Sequence, residues 1–273
     1  MTIVEAIILG AIQGLTEFLP VSSSGHLVMG RELMGIRGDG DISFEMVLHA
    51  GTLLAVFVVM GRELLMPIRG AAGLFRPGAW KSTWRTSYEF RLCVMIAAAT
   101  IPAGLVGLLL KRRIEVAFSD PTLTAKLFLV TAALLFVAAW IQKRRPAAAP
   151  GLSTRQAVLI GLAQAGAVFP GISRSGSTIS AALASGVEAG TAGSFSFYLS
   201  VPVILGAILL EIPKIAASPE PIANLLIGFV VSFATGVLAF KWLLSMLRSG
   251  RIWYFGIYLI VVSLSYLFLF RRD

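Results

Sequence analysis

Polar residues interrupt this chain at few places, and the apolar runs between them have membrane length. Six stretches, residues 43–60, 90–110, 122–141, 194–212, 222–247 and 252–270, each approach the ~20 apolar residues that a helical span requires. Two further apolar regions, 3–33 and 153–185, are broken near the middle by Pro and Ser. Each is too long for one helix and too short for two full spans with a turn. They predict re-entrant helix pairs, which membrane depth tolerates only where the irregular backbone is buried in protein or lines a cavity.

The first break is the densest polar stretch. Between Gln13 and His26 the chain places Glu17, Pro20, Ser22, Ser23, Ser24 and Gly25. Gln13 and Glu17, four apart, share a helix face. Pro20 stops that helix, because it lacks an N–H and restricts the residue before it. The serines are good N-cap residues, so a second short helix starts there and carries His26 in its first turn. A helix stopped and restarted inside a membrane presents free backbone N–H groups that suit an anion, above all phosphate.

The device recurs 151 residues later, from Gln164 through Phe169, Ser173 and Ser175 to Gly176. Sliding the chain by 151 gives eleven identities over the 45 positions from Gly10 to Leu54, without a gap. The polar matches at the breaks mark an internal duplication. Each copy is then one re-entrant pair plus three spans, and three is odd, so the second copy must be inserted upside down. The predicted fold is an all-α polytopic membrane protein with an inverted-topology repeat: residues 1–145 and 151–273, six full spans and two re-entrant pairs, in one membrane domain.

Composition agrees. Hydrophobic residues make up 57%, charged ones 14%, and the mean hydropathy of +0.85 lies outside the soluble range. The net charge of +9 therefore reads as loop charge facing lipid headgroups. No basic, aromatic-interleaved patch suggests nucleic acid. Cys93 is alone, which excludes a disulfide within the chain. The N-terminus lacks the basic region and cleavage site of a signal peptide, and Thr2 with Glu5 reads as a capping box. Basic residues of the 62–91 loop and the 143–155 linker (Arg62, Arg69, Arg76, Lys81, Arg85, Arg91, Lys143, Arg144, Arg145, Arg155), with Arg248 and Arg251, fall on one side. Lys111, Arg112, Arg113, Lys214, Arg271 and Arg272, with Arg31 and Arg37, fall on the other. Positive-inside then puts both termini outside.

Arg174 opens the second half-helix. A guanidinium at bilayer depth costs at least ~2.5 kcal/mol unless an anion faces it, and its planar fork suits phosphate oxygens. The alternative is internal pairing with Glu17. In the repeat Arg174 is the mate of Ser23, so symmetry sets a hydroxyl opposite an anion clamp. Glu17 can ligate a divalent cation or act as a base, with Gln13 as neutral neighbour; Mg²⁺ and Ca²⁺ both take such oxygen ligands alongside phosphate. His26, three residues after Ser23, could take its proton or attack phosphorus itself. Glu45 and His49, whose repeat-mates are Ser196 and Ser200, read as a polar interior face. Glu211, Lys126 and Lys241 lie towards span ends and snorkel, and Trp253, Tyr254 and Phe255 read as an interfacial belt.

The residues Gln13-x-x-x-Glu17 with Pro20 to His26, and Pro170-Gly-Ile-Ser-Arg-Ser-Gly-Ser-Thr178, resemble the two signature motifs of the undecaprenyl-diphosphate phosphatase family, the bacitracin-resistance type. The resemblance covers essentially the whole chain. It implies release of the terminal phosphate of undecaprenyl diphosphate, recycling the lipid carrier for cell-wall synthesis, in the bacterial plasma membrane and largely at its outer face. It further implies dependence on Mg²⁺ or Ca²⁺, with Glu17 at the metal, and essential Glu17, His26 and Arg174, with Ser23 a nucleophile. Gln13, Ser22, Ser24, Gly25, Gly171, Ser173, Ser175, Gly176 and Thr178 are the candidate substrate-binding positions. Partners are the lipid substrate and membrane lipids, with a homodimer as an open assembly state. The rival is a polyprenyl-phosphate flippase or transporter, since broken helices in inverted repeats mark transporters. Against it, Glu17 and His26 are matched by Val168 and Ser177, so the reactive groups occupy one half only. A purely structural scaffold leaves the intramembrane Arg174 unexplained.

Overall fold

The computed structural model describes residues 1–36, 42–75, 77–144 and 151–270. Arg37, Arg76, Arg145, Arg271, Arg272 and the 146–150 linker lie outside them. The described residues contain helices and connecting turns, with no strand. Helix α1 (Ile3–Phe18) and α2 (Ser23–Leu33) flank the first break, and α3 (Ile42–Met60) follows. The expected loop after α3 is itself largely helical, with α4 (Leu65–Ala71), α5 (Trp80–Thr86) and short 3₁₀ turns. Then come α6 (Tyr88–Leu109), the short α7 (Lys111–Phe118) and α8 (Pro121–Arg144). The second break lies between α9 (Thr154–Gly166) and α10 (Arg174–Ala184). It is followed by α11 (Ala189–Ala216), α12 (Ile222–Arg248) and α13 (Trp253–Leu269).

Among the described residues five helical stretches are long and apolar enough to cross a membrane: Ser43–Phe75, Tyr88–Leu109, Pro121–Arg144, Ala189–Ala216 and Ile222–Arg248. The sixth expected span, α13, is apolar but shorter, at 17 residues. Large apolar side chains such as Leu108, Leu210, Leu238 and Phe268 face outward on these helices, as a lipid solvent favours. The chain is an all-helical polytopic membrane protein.

Local sequence explains where the broken pairs begin. Thr2 and Ser153, 151 residues apart, each cap a helix through a reciprocal box, with Glu5 and Gln156 as the returning side chains. Gln156 also donates from Nε2 to the Ser185 carbonyl at 3.1 Å, so α9 begins where α10 ends. At the first pair, Met1, Met34 and Ile36 pack on the cluster of Ala6, Leu9 and Leu27. Its two ends are therefore also together. The N-terminal amine lies 3.4 Å from Glu220, and Ser43 Oγ donates to the Lys214 carbonyl at 3.0 Å. Glu220 lies in the α11–α12 turn and Lys214 in the last turn of α11, so the chain start and the start of α3 share one side of the molecule.

The halves interlock. Helix α1 lies along α12, and α9 lies along α6. At both crossings a glycine admits the close approach. A Cβ on Gly10 would sit 2.8 Å from the Gly228 carbonyl oxygen, and one on Gly161, its repeat-mate, 2.6 Å from the Ala99 Cα. Small residues that let helix backbones touch are the usual packing device where lipid supplies no hydrophobic drive. A larger side chain at Gly161 should therefore separate α9 from α6. Gly161→Leu is expected to cost about 2 kcal/mol or more through overpacking. It should lower the thermal unfolding midpoint of the detergent-solubilised protein. Gly104→Leu, on an open face of α6 with no atom within 4 Å of its Cβ, should leave the midpoint near wild type.

Candidate functional site

Glu17 is where the two breaks meet. Helix α1 ends at Phe18 because Leu19 turns extended before Pro20. The chain reverses through Ser22, whose φ of 69° is the single positive value among described non-glycine residues. Such a conformation costs on the order of 1–3 kcal/mol and persists only where the surroundings impose it. Three contacts impose it here. Ser22 Oγ accepts from the Gly25 N–H at 3.4 Å, capping α2, and from the Gly171 N–H of the other half at 3.0 Å. The Ser22 carbonyl accepts from His26 Nδ1 at 2.8 Å.

The second break mirrors this. Ser173 caps α10 by accepting from the Gly176 N–H at 3.0 Å. Gly171 has φ of 96°, and a Cβ there would lie 2.5 Å from the Thr124 carbonyl oxygen, so only glycine fits. Thr131 on α8 holds this loop from both sides: its Oγ1 donates to the Gly171 carbonyl at 2.8 Å and accepts from the Ser173 N–H at 3.0 Å. Ser175 Oγ donates back to the Leu19 carbonyl at 3.0 Å. Every one of these bonds satisfies a backbone group that breaking a helix had released.

Into this junction the Glu17 carboxylate projects, buried to 7% exposure. Arg174 Nη2 donates to its Oε1 at 2.9 Å. Ser23 Oγ donates to Oε2 at 2.6 Å, and Gln13 Nε2 to the same oxygen at 3.0 Å. Arg174 Nη1 also donates to the Ser196 carbonyl at 3.2 Å. The candidate hydroxyl, carboxylate and guanidinium thus share one point, where the first residue of each second half-helix, Ser23 of α2 and Arg174 of α10, bonds Glu17. A serine hydroxyl hydrogen-bonded to a carboxylate is a nucleophile beside its base. A guanidinium and helix N-termini are an anion site.

The remaining candidates divide in two. Ser22, Ser173, Ser175, Gly25, Gly171 and Gly176 build the junction through the bonds and close approaches just described, and Ser24 Oγ lies 3.3 Å from Ser22 Oγ. Thr178 Oγ1 bonds the Arg174 carbonyl at 2.9 Å and Ser196 Oγ at 2.7 Å, which steadies Arg174 from behind. His26 is turned away from Ser23. A backbone carbonyl only accepts, so Nδ1 carries a proton to Ser22, and Nε2 receives the Tyr258 hydroxyl at 2.8 Å. The hydrogen-bond partner that Ser23 has for its proton is Glu17, not the imidazole one turn away.

The structure adds two residues to the site: His49, read from the sequence as part of a polar interior face, and Tyr258, which the sequence did not single out. His49 Nδ1 bonds the Glu45 carbonyl at 2.8 Å, which aims Nε2 at Glu17 Oε2, 3.7 Å away. The i,i+4 polar pair on α3 was the signal available for it. Glu45 itself pairs with Arg31 at 2.9 Å, taking Arg31 out of the loop charge. Tyr258 had no signal beyond being a polar-tipped residue in an apolar span.

Among the described residues no three His, Cys, Asp or Glu side chains come together as a metal cluster. The donor set still fits a hard cation that brings phosphate with it. Gln13, which bonds Glu17 through Nε2, has a buried Oε1 without a hydrogen-bond partner, an oxygen of the kind that such a cation takes alongside a carboxylate.

The family described as "Bacitracin resistance protein BacA" matches residues 6–265. The chain belongs to this family. It is 39% identical over 269 residues to an undecaprenyl-diphosphatase of Desulfatibacillum aliphaticivorans, covering 96% of this chain and 97% of that protein. To a protein of the same name from Korarchaeum cryptofilum it is 40% identical over 273 residues, covering 98% and 99%. A third, from Bacteroides fragilis, is 38% identical over 95% of each chain. The family match runs across both breaks and into α13.

The Glu17–Arg174 contact makes a stability prediction independent of activity. Removing one partner of a buried pair strands the other charge, at a cost of about 3 kcal/mol or more. Glu17→Ala should therefore lower the unfolding midpoint in detergent sharply. Adding Arg174→Met should recover part of that loss. Additive losses in the double variant would show that the two charges do not depend on each other.

Proposed function

We propose that this chain is an integral membrane phosphatase that hydrolyses undecaprenyl diphosphate to undecaprenyl phosphate and inorganic phosphate. The observation that carries the reading is the 2.6 Å bond from Ser23 Oγ to Glu17, set beside Arg174 at the junction of two helix N-termini. The name shared by the relatives supplies the substrate, and a diphosphate matches this site's chemistry. Arg174 and the N-termini of α2 and α10 bind phosphate oxygens. Ser23 Oγ attacks the terminal phosphorus and passes its proton to Glu17. An Oγ–P bond forms, the bridging P–O bond breaks, and the lipid monophosphate leaves. Water then displaces the serine from phosphorus, its protons remaining with phosphate, and Ser23 regains the proton from Glu17. Mg²⁺ or Ca²⁺, held by Glu17 and Gln13 Oε1, would offset the charge on the phosphates. Catalysis of this kind needs positioning and charge stabilisation above all. His26 contributes by bracing the Ser22 cap.

The same reading takes the chain as an inverted repeat, 1–145 and 151–273, with α1–α2 and α9–α10 as re-entrant pairs. Support comes from the adjacency of the two ends of each pair and from the matched crossings α1 on α12 and α9 on α6. The site faces outside, as the basic loops predict, and the ion pair of Arg31 with Glu45 sharpens that charge difference. Outward apolar faces leave room for a homodimer, which the mass of the solubilised protein measures. Transport is not favoured, because the carboxylate and the serine both belong to the first half.

Purified protein is expected to release phosphate from a long-chain prenyl diphosphate, and EDTA should suppress the release. Ser23→Ala and Glu17→Gln should each lose at least a hundredfold in kcat, whereas His26→Ala should keep measurable turnover. Quenched turnover with labelled diphosphate should leave acid-stable phosphoserine on Ser23. An acid-labile, base-stable label on His26 would transfer the nucleophile to the imidazole. Single cysteines near Asp120 and Pro219 should label from outside the cell, and ones near Gly78 and Gly151 only after permeabilisation. The reverse pattern would invert the orientation.

A further inference from the structure

Helix α13 reaches the junction through one side chain. It is pinned antiparallel along α8 at two heights. Ser263 Oγ donates to the Ala125 carbonyl at 2.7 Å. Nearer the start, Gly256 lies so close that a Cβ would stand 3.0 Å from the Phe136 ring and 3.3 Å from the Ala132 carbonyl oxygen. Tyr258 lies between these two anchors along α13, and both it and Phe128 pack on the His26 ring. The Tyr258 ring lies parallel to that of His26, with centroids 5.6 Å apart and 8° between planes, while Phe128 covers the imidazole at 4.8 Å. The Tyr258 hydroxyl is 2.8 Å from His26 Nε2.

The direction of that bond follows from the other end of the ring. Nδ1 donates to the Ser22 carbonyl, so in the neutral imidazole Nε2 is the acceptor, and Tyr258 must donate to it. Four bonds then run in series: Tyr258 to His26, His26 to the Ser22 carbonyl, the Gly171 N–H to Ser22 Oγ, and Thr131 to the Gly171 carbonyl. The series starts and ends on the α8–α13 pair and passes through both breaks. Its middle member is the residue with strained backbone, and the next residue along the chain is Ser23.

We propose that Tyr258 is a positioning residue of the phosphatase: its hydroxyl donates to His26 Nε2 and holds the imidazole in place, and His26 thereby holds the Ser22 cap and the register of the two breaks around Ser23. The structural part stands on geometry alone, and the kinetic part rests on the function proposed above.

The chain has two histidines, His26 and His49, so ¹⁵N-histidine labelling of the full-length protein in detergent gives two ring systems, and His49→Gln assigns them. In wild type, His26 is expected to show a protonated Nδ1 and an accepting Nε2. In Tyr258→Phe, which keeps the ring packing, the His26 Nε2 resonance should move and the Nδ1 proton should exchange faster. With a long-chain prenyl diphosphate, Tyr258→Phe should lower kcat about tenfold, the scale of one lost hydrogen bond, with KM unchanged. Combined with His26→Ala it should cost nothing further, because residues acting through one another are not additive. Unchanged His26 resonances in Tyr258→Phe, or a fully additive loss in the double variant, would overturn the proposal. An inactive wild type would instead sink the function proposed above, and the nuclear resonance result would still decide the Tyr258–His26 bond by itself.

Discussion

Two opposite charges that neither half of the chain could bury alone hold this protein together. Glu17 and Arg174, 157 residues apart, meet at 2.9 Å inside a helical membrane protein. Taking either ion out of water costs several kcal/mol even after relaxation, and a hydrocarbon surround makes an unpaired one harder still to accommodate. The pair is tolerable only if both breaks lie at one place. Around that place α1 packs along α12 and α9 along α6. Glycines at those crossings, Gly10 and Gly161, admit the close backbone approach.

A second constraint follows from breaking helices inside the packed protein. Each break frees buried N–H and C=O groups that must find partners there. The chain answers with side chains borrowed across the halves: Ser22 for the Gly171 amide, Ser175 for the Leu19 carbonyl, Thr131 for both sides of the second loop. The hydroxyls of the two motifs therefore have unequal duties. Most stitch the junction, and Ser23 is the one directed at the carboxylate. At positions 151 apart in the chain the two motifs differ where the chemistry stands: Ser23 is matched by Arg174, Glu17 by Val168 and His26 by Ser177.

Much of this was legible in the chain. Hydropathy marked the apolar helices because a lipid solvent demands a run of ~20 residues whatever the partners. Proline, serine and glycine marked the breaks because capping and φ restriction act over three or four residues. The two motifs named the family and pointed to Glu17, Ser23 and Arg174, which the structure brings together. The 17-residue α13 departs from the six expected full spans. The helices between α3 and α6 were hidden in what read as a charged loop.

What the sequence determined by itself is therefore what short-range rules control: which segments are helical and apolar, where they break, and which residue types gather at the breaks. What only the tertiary structure decided is who faces whom. His26 is one turn from Ser23 along the chain, yet its nitrogens go to Ser22 and to Tyr258, 232 residues away. His49 looked like a polar face of α3 and ends 3.7 Å from Glu17. Ring orientation and hydrogen-bond direction depend on neighbours brought by other helices, and no spacing within one segment encodes them.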